Sequence, residues 1–345
     1  MKKYFSICLF ILFLSAPSSS QNIPVHEQMY ISVGGIDQWI TINGNNRNNP
    51  VVLLLHGGPG SVMSAYNEDE IFKDWKKDFT LVHWDQRGAG RTFGKNAPAL
   101  IDEDYWIQHP LSINQMISDA IEVSEYLVKH LNKQKIIIIG TSWGSVIGAK
   151  IALERPDLYH AYIAHAQVVK PFSNTTYNKV LKLARLTNDT ASVNKLNSMG
   201  IPPYDDAKNA GHFLRIIKKF EEAVSIKAPG KWWKIKPDYE NETDSKNRED
   251  GDDYSFINYV GHKKSGIHAM MNEIDFLNGE LNFKIPVYFI QGEHDILTPK
   301  EITKAYFDKI NAPVKEFYLI QGAAHGFNQA VVDAQYRVLR HFVLN

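Results

Sequence analysis

A chain of 345 residues with 38 basic and 38 acidic side chains has no formal net charge, which argues against an electrostatic nucleic-acid binder. Its 44% hydrophobic and 22% charged content suits a globular protein with a full core, and no internal repeat, HExxH, EF-hand loop or Walker A pattern is visible. The single cysteine, Cys8, excludes an internal disulfide.

Residues 1–20 read as a secretory signal. Lys2 and Lys3 precede an apolar run from Tyr4 to Leu14, and small residues follow, with Ser18 and Ser20 placed for cleavage before Gln21. The run is shorter than the roughly 20 residues of a spanning helix, so export without a lasting membrane anchor is expected, to a periplasm or medium. Cys8 lies inside this segment, so the processed chain would have no thiol and no cysteine nucleophile.

"QMYISVGGIDQWITING" then alternates like two strands joined at Gly34-Gly35. The runs "VVLLL" (51–55), "TLVHW" (80–84) and "KIIIIG" (135–140) are apolar throughout, as parallel strands covered on both faces must be. Ser112 and Gln115 form a capping box before an amphipathic stretch ending at Leu131. Further strands are expected at 161–166, 286–292 and 316–322, with a last helix over 328–343. Strands alternating with helices imply an α/β fold with a doubly wound, mostly parallel sheet. Residues 168–277 break the rhythm. There "KVLKLARL", "HFLRIIKKFEEAV" and "HAMMNEIDFL" read as helices, and the acidic run from Asp238 to Asp253 as a solvated loop. We read this stretch as a helical cap inserted into a core made of 21–167 and 278–345.

Gly140-Thr141-Ser142-Trp143-Gly144 matches G-x-S-x-G between a buried strand and a helix, the setting in which a serine projects as a nucleophile. A serine needs a base, and the base an orienting acid. "GEHD" after the 286–292 strand supplies Asp295, with Glu293 as rival, and "GAAHG" after the next strand supplies His325. "HGGPG" (56–60) follows the first core strand. Its Gly57 or Gly58 can present a backbone N–H to an oxyanion; we take Gly58, with the N–H of Trp143 as the second donor. His56, Gly57, Pro59 and Gly60 then shape the site, and Gly58-Pro59 is a candidate cis peptide. In "HWDQRGAGRT", Asp85 and Arg87 are expected to hold that loop in place. This scheme calls for no metal and no organic cofactor.

HGGPG, DQRGAGRT, GTSWGS, GEHD and GAAHGF, in this order, resemble the α/β-hydrolase fold and within it the proline iminopeptidase group, over residues 25–167 and 278–345. The resemblance implies Ser142 as nucleophile, Asp295 as orienting acid and His325 as base, acting on a short peptide or other small molecule. It also implies cap glutamates that hold the substrate's amino end, one of them just after a tryptophan pair. Here Trp232-Trp233, expected to line the cap pocket, is followed by Lys234; Glu221, Glu222, Glu240 and Glu273 are the alternatives. An esterase or lactonase is the second reading, and a ligand sensor that keeps the fold the third.

Overall fold

The computed structural model describes residues 23–98, 103–204 and 206–343, so the signal expected at 1–20 lies outside the described residues. Eight strands form one sheet: β1 (Val25–Val33), β2 (Ile36–Gly44), β3 (Val51–Leu55), β4 (Thr80–Trp84), β5 (Ile136–Thr141), β6 (Tyr159–His165), β7 (Val287–Gly292) and β8 (Lys315–Ile320). Their order is β1-β2-β4-β3-β5-β6-β7-β8. β1 and β2 pair as an antiparallel hairpin, β2 meets β4 antiparallel, and every pair from β4 to β8 is parallel.

The continuous apolar runs are explained by the two faces they serve. Val51, Leu53, Ile136 and Ile138 join one buried cluster, while Val52, Leu54, Ile137 and Ile139 join another. Side chains alternate across a strand, so a sheet covered on both sides needs apolar residues at every position. Edge strand β8 is different. Lys315 and Glu316 break its apolar character, which discourages a second chain from pairing there.

The helices are α1 (Glu68–Ile71), α2 (Gly90–Asn96), α3 (Glu103–Gln108), α4 (Ile113–His130), α5 (Trp143–Glu154), α6 (Asn174–Leu186), α7 (Thr190–Met199), α8 (Ala207–Val224), α9 (Glu242–Val260), α10 (Lys300–Lys309) and α11 (Gln329–Arg340). Ser112 caps α4 by accepting the Gln115 amide, but the Gln115 side chain turns to Asp119 instead of closing the box. Helices α6 to α9 lie between β6 and β7. No described helix is long and apolar enough to cross a membrane.

Two expectations for this stretch are corrected. The acidic run is mostly helix: α9 is capped by Asn241, whose side chain accepts the Asp244 amide, and Arg91 grips Asp244 with two nitrogens at 2.8 Å. Residues 268–277 form two short 3₁₀ turns, Met270–Glu273 and Phe276–Asn278, instead of a helix. Met270, Met271 and Phe276 are buried, but Asp275 accepts the Leu277 amide and so closes a local turn.

Candidate active site

Ser142 stands between β5 and α5 with φ 52° and ψ −120°, a backbone conformation that side chains rarely adopt and that costs on the order of 1–3 kcal/mol. The flanking glycines show why the turn can be so tight. A Cβ on Gly140 would lie 2.4 Å from the Gly144 carbonyl oxygen, and one on Gly144 would lie 2.0 Å from the carbonyl of Leu55. No larger residue fits either position. The serine is therefore held at the carboxyl end of β5, between β3 and β6, and its amide donates to the His165 carbonyl at 3.0 Å.

Three loops, each following its own strand, converge there. His325 Nε2 lies 2.8 Å from Ser142 Oγ, and His325 Nδ1 lies 3.1 Å from Asp295 Oδ2. Asp295 is fully buried, and Thr298 donates to both its oxygens, from its amide at 2.7 Å and from its hydroxyl at 2.6 Å. The acid thus both caps its own turn and faces the imidazole. Burial pushes the Asp295 carboxyl up, yet His325 and the Thr298 donors together hold it below its ordinary value. Burial likewise opposes charge on His325, but Asp295 and, more weakly, Glu221 raise its pKa above the usual 6.5. The rival acid, Glu293, faces the Gly322 amide at 3.4 Å instead.

HGGPG passes directly beside the serine. A Cβ on Gly57 would come within 3.2 Å of the Ser142 Cβ, Gly58 has φ +111°, and Gly58-Pro59 is cis. His56 anchors this loop. Its Nδ1 is 2.9 Å from the Gly57 carbonyl, its Nε2 accepts the Gln86 amide at 3.2 Å, and the Gln86 side chain donates to the His56 carbonyl at 3.0 Å. Burial pushes the His56 imidazole down to about 4, so it is neutral at pH 7. Gln86 also accepts from the Trp143 indole at 3.1 Å, joining the loop to the residue after the serine. Asp85 meets Ser64 at 2.5 Å, as an anchoring role requires. Arg87 does not share it: its guanidinium reaches the other way, to Asp119 and the Gly34 carbonyl.

A cavity of about 270 Å³ opens over the serine, lined by Gly58, Pro59, Phe172, Leu214, Phe256 and Tyr259. One further lining residue is acidic. Asp252 on α9 accepts from Ser61 Oγ at 3.0 Å, and Gly60 leaves the space for it, since a Cβ there would lie 2.7 Å from the Asp252 Cα.

The expected pocket tryptophans part company. Trp232 is only 1% exposed and belongs to the core cluster with Phe72 and Trp75, so its place in the cap pocket is corrected. Trp233 faces a second cavity beside the same serine. Glu222, Glu240 and Glu273 are exposed and line neither cavity. Glu221 is buried and serves the acid loop, accepting the amides of Ile296 at 2.6 Å and Leu297 at 3.1 Å. Burial, with the neighbouring Asp295, pushes its carboxyl up to about 7.

Sequence reasoning missed Gln86, Thr298 and Asp252. Thr298 had a signal in the three-residue spacing from Asp295 before Pro299, an Asx-type turn. Among the described residues, no group of three His, Cys, Asp or Glu side chains is placed to hold a metal ion.

The α/β-hydrolase fold family matches residues 50–328. The chain belongs to that family. Within it, the hydrolase is most like proline iminopeptidases. It is 28% identical over 305 residues to a probable aminopeptidase, YbaC, of Bacillus subtilis (strain 168), covering 86% of this chain and 89% of that protein. A proline iminopeptidase of Neisseria meningitidis serogroup B is 23% identical over 328 residues, covering 88% and 92%. Among solved structures, the proline iminopeptidase of Mycobacterium smegmatis superposes with a TM-score of 0.58 at 17% identity, covering 92% of this chain and 96% of that one. An esterase from Exiguobacterium antarcticum gives 0.54 at 15% identity, covering 92% and 100%. At these identities the structural likenesses establish the fold alone.

Proposed function

We propose that this hydrolase removes an amino-terminal residue from short peptides or amides through an acyl-enzyme on Ser142. The observation that carries the reading is the hydrogen-bonded series Asp295, His325 and Ser142 beneath a cavity with one carboxylate in its wall. His325 takes the Ser142 proton as Oγ attacks the substrate carbonyl, and Asp295 keeps the imidazole's Nδ1 protonated and aimed. The N–H groups of Gly58 and Trp143 receive the oxyanion. His325 then passes its proton to the departing amine. A water attacks the acyl-enzyme by the same route, returning the proton to Ser142.

Asp252 gives this reading its amino-end preference. Positioned by Ser61, it is the lining residue suited to an ammonium, in the role that the resemblance assigns to cap glutamates. Export belongs to the proposal on the strength of residues 1–20 alone.

Acetylating the substrate's amine measures the claim. Asp252 is exposed in the free protein, so its pair with an ammonium gains full strength only once the bound substrate excludes water. Losing one partner of such a desolvated pair costs about 2–5 kcal/mol, so kcat/KM for a free aminoacyl anilide should exceed that for its N-acetyl form by roughly 30- to several-thousand-fold. Asp252→Asn should bring the ratio down at least tenfold. A wild-type ratio near one rejects the aminopeptidase reading in favour of an esterase, which the apolar walls Phe172, Leu214 and Phe256 would suit. A high ratio that survives Asp252→Asn removes Asp252 from the scheme.

A further inference from the structure

Ser142 and His325 stand where two cavities meet. The first is the space beneath α9 with Asp252 in its wall. The second, of about 410 Å³, shares Gly58, Ser61, Ser142 and His325 with it; its other walls include the apolar Met63, Tyr66, Phe72, Trp233 and Phe327, with His83 and Lys218 as polar members. None of its lining residues is acidic. We infer that this second cavity receives the departing half of the substrate and favours a bulky apolar side chain on the first residue released.

The inference rests on the aminopeptidase reading for the assignment of the two halves. Acyl transfer divides a substrate at its carbonyl carbon, which must sit against Ser142 Oγ. If the ammonium lies near Asp252, the acyl half fills the first cavity. The remainder must extend into the second.

The walls are built in advance of any ligand. The segment carrying Trp233 is tied to the loop carrying Met63 and Tyr66 by an antiparallel bridge between Tyr66 and Ile235. The Asn67 amide donates to the Lys234 carbonyl at 3.2 Å, and the Lys236 amide to that of Ala65 at 2.9 Å. Trp233 meets the Tyr66 ring edge to face, with centroids 5.5 Å apart, yet stays 39% exposed. A large apolar side chain held in place but left half open is suited to contact with a ligand. Phe327 comes from the His325 loop itself, so the base and one wall belong to one loop.

The test compares alanyl-phenylalanine amide with alanyl-glycine amide, and the 2-phenylethyl ester of alanine with its methyl ester. In each pair the acyl half is identical. Burying an aromatic leaving side chain should raise kcat/KM by roughly 10- to 100-fold. Trp233→Ala, and separately Met63→Ala, should cut that preference at least threefold. Hydrolysis of the common alanyl-enzyme, which no longer contains the leaving half, should change by much less than the acylation step. Equal kcat/KM within both pairs overturns the inference, as does a Trp233→Ala effect on deacylation as large as that on acylation. Failure of the aminopeptidase reading shows elsewhere, in the acetylation ratio, and the ester pair then still decides the leaving-group preference.

Discussion

In the proposed mechanism His325 accepts a proton in surroundings that resist charge, and its neighbours decide how readily it does so. Asp295 lies 3.1 Å from Nδ1, and the Glu221 carboxyl, raised to about 7, adds a further negative field as it ionises. Both favour the imidazolium, so the rising limb of the acylation rate should have its midpoint above 6.5. The base works deprotonated, and activity is lost as pH falls through that midpoint. Glu221→Gln keeps an oxygen for the Ile296 and Leu297 amides while removing the charge. The midpoint should then move down, with the high-pH plateau within about tenfold of wild type. Stopped-flow acylation rates between pH 5 and 9 read this directly, and a midpoint that stays or rises contradicts the assigned electrostatics. Because Glu221, Asp295 and His325 interact, the measured value belongs to the set.

The turn between β5 and α5 shows how an element can need a residue that its own propensities disfavour. Gly144 lies in the first turn of α5, and in helices alanine is ordinarily the better residue. Contact reverses the sign. An alanine Cβ would meet the Leu55 carbonyl oxygen at 2.0 Å, and a backbone atom in a central strand cannot step aside cheaply. Gly144→Ala should therefore destabilise the protein by about 3 kcal/mol or more, seen as a lower urea midpoint. A variant within about 0.5 kcal/mol of wild type would show that the close approach is not needed. Helix α9 uses the same device less severely. A Cβ on Gly251 would lie 3.1 Å from the Gly88 carbonyl, so α9 rests against the loop after β4 while Arg91 grips its first turn at Asp244.

Across the whole molecule, legibility in the sequence followed the range of the interaction. The buried strands could be read because their apolar runs are local and continuous. The Ser142, Asp295 and His325 loops could be read because each follows such a strand. Helix α9 could not: its sequence is acidic and only weakly apolar, and its anchors, Arg91 and the Gly88 loop, lie some 160 residues away in the chain. Asp252 is delivered to the cavity by that docking, so nothing local announced it. Arg87 was misjudged for the same reason, since its partner Asp119 sits on α4 and is fully buried. The tryptophan pair separated because neighbouring side chains leave a short 3₁₀ turn in different directions, Trp232 into the core and Trp233 toward the second cavity.

The central claim is that Ser142 is the nucleophile, activated by His325. A fluorophosphonate probe followed by peptide mapping tests it most directly, because the probe bonds only to a serine whose proton is being removed. One adduct per chain is expected, on Ser142, with turnover lost in proportion to labelling and labelling slowed at least a hundredfold in His325→Ala. An adduct on another serine accompanied by loss of turnover would contradict the account, as would full turnover in a completely labelled protein.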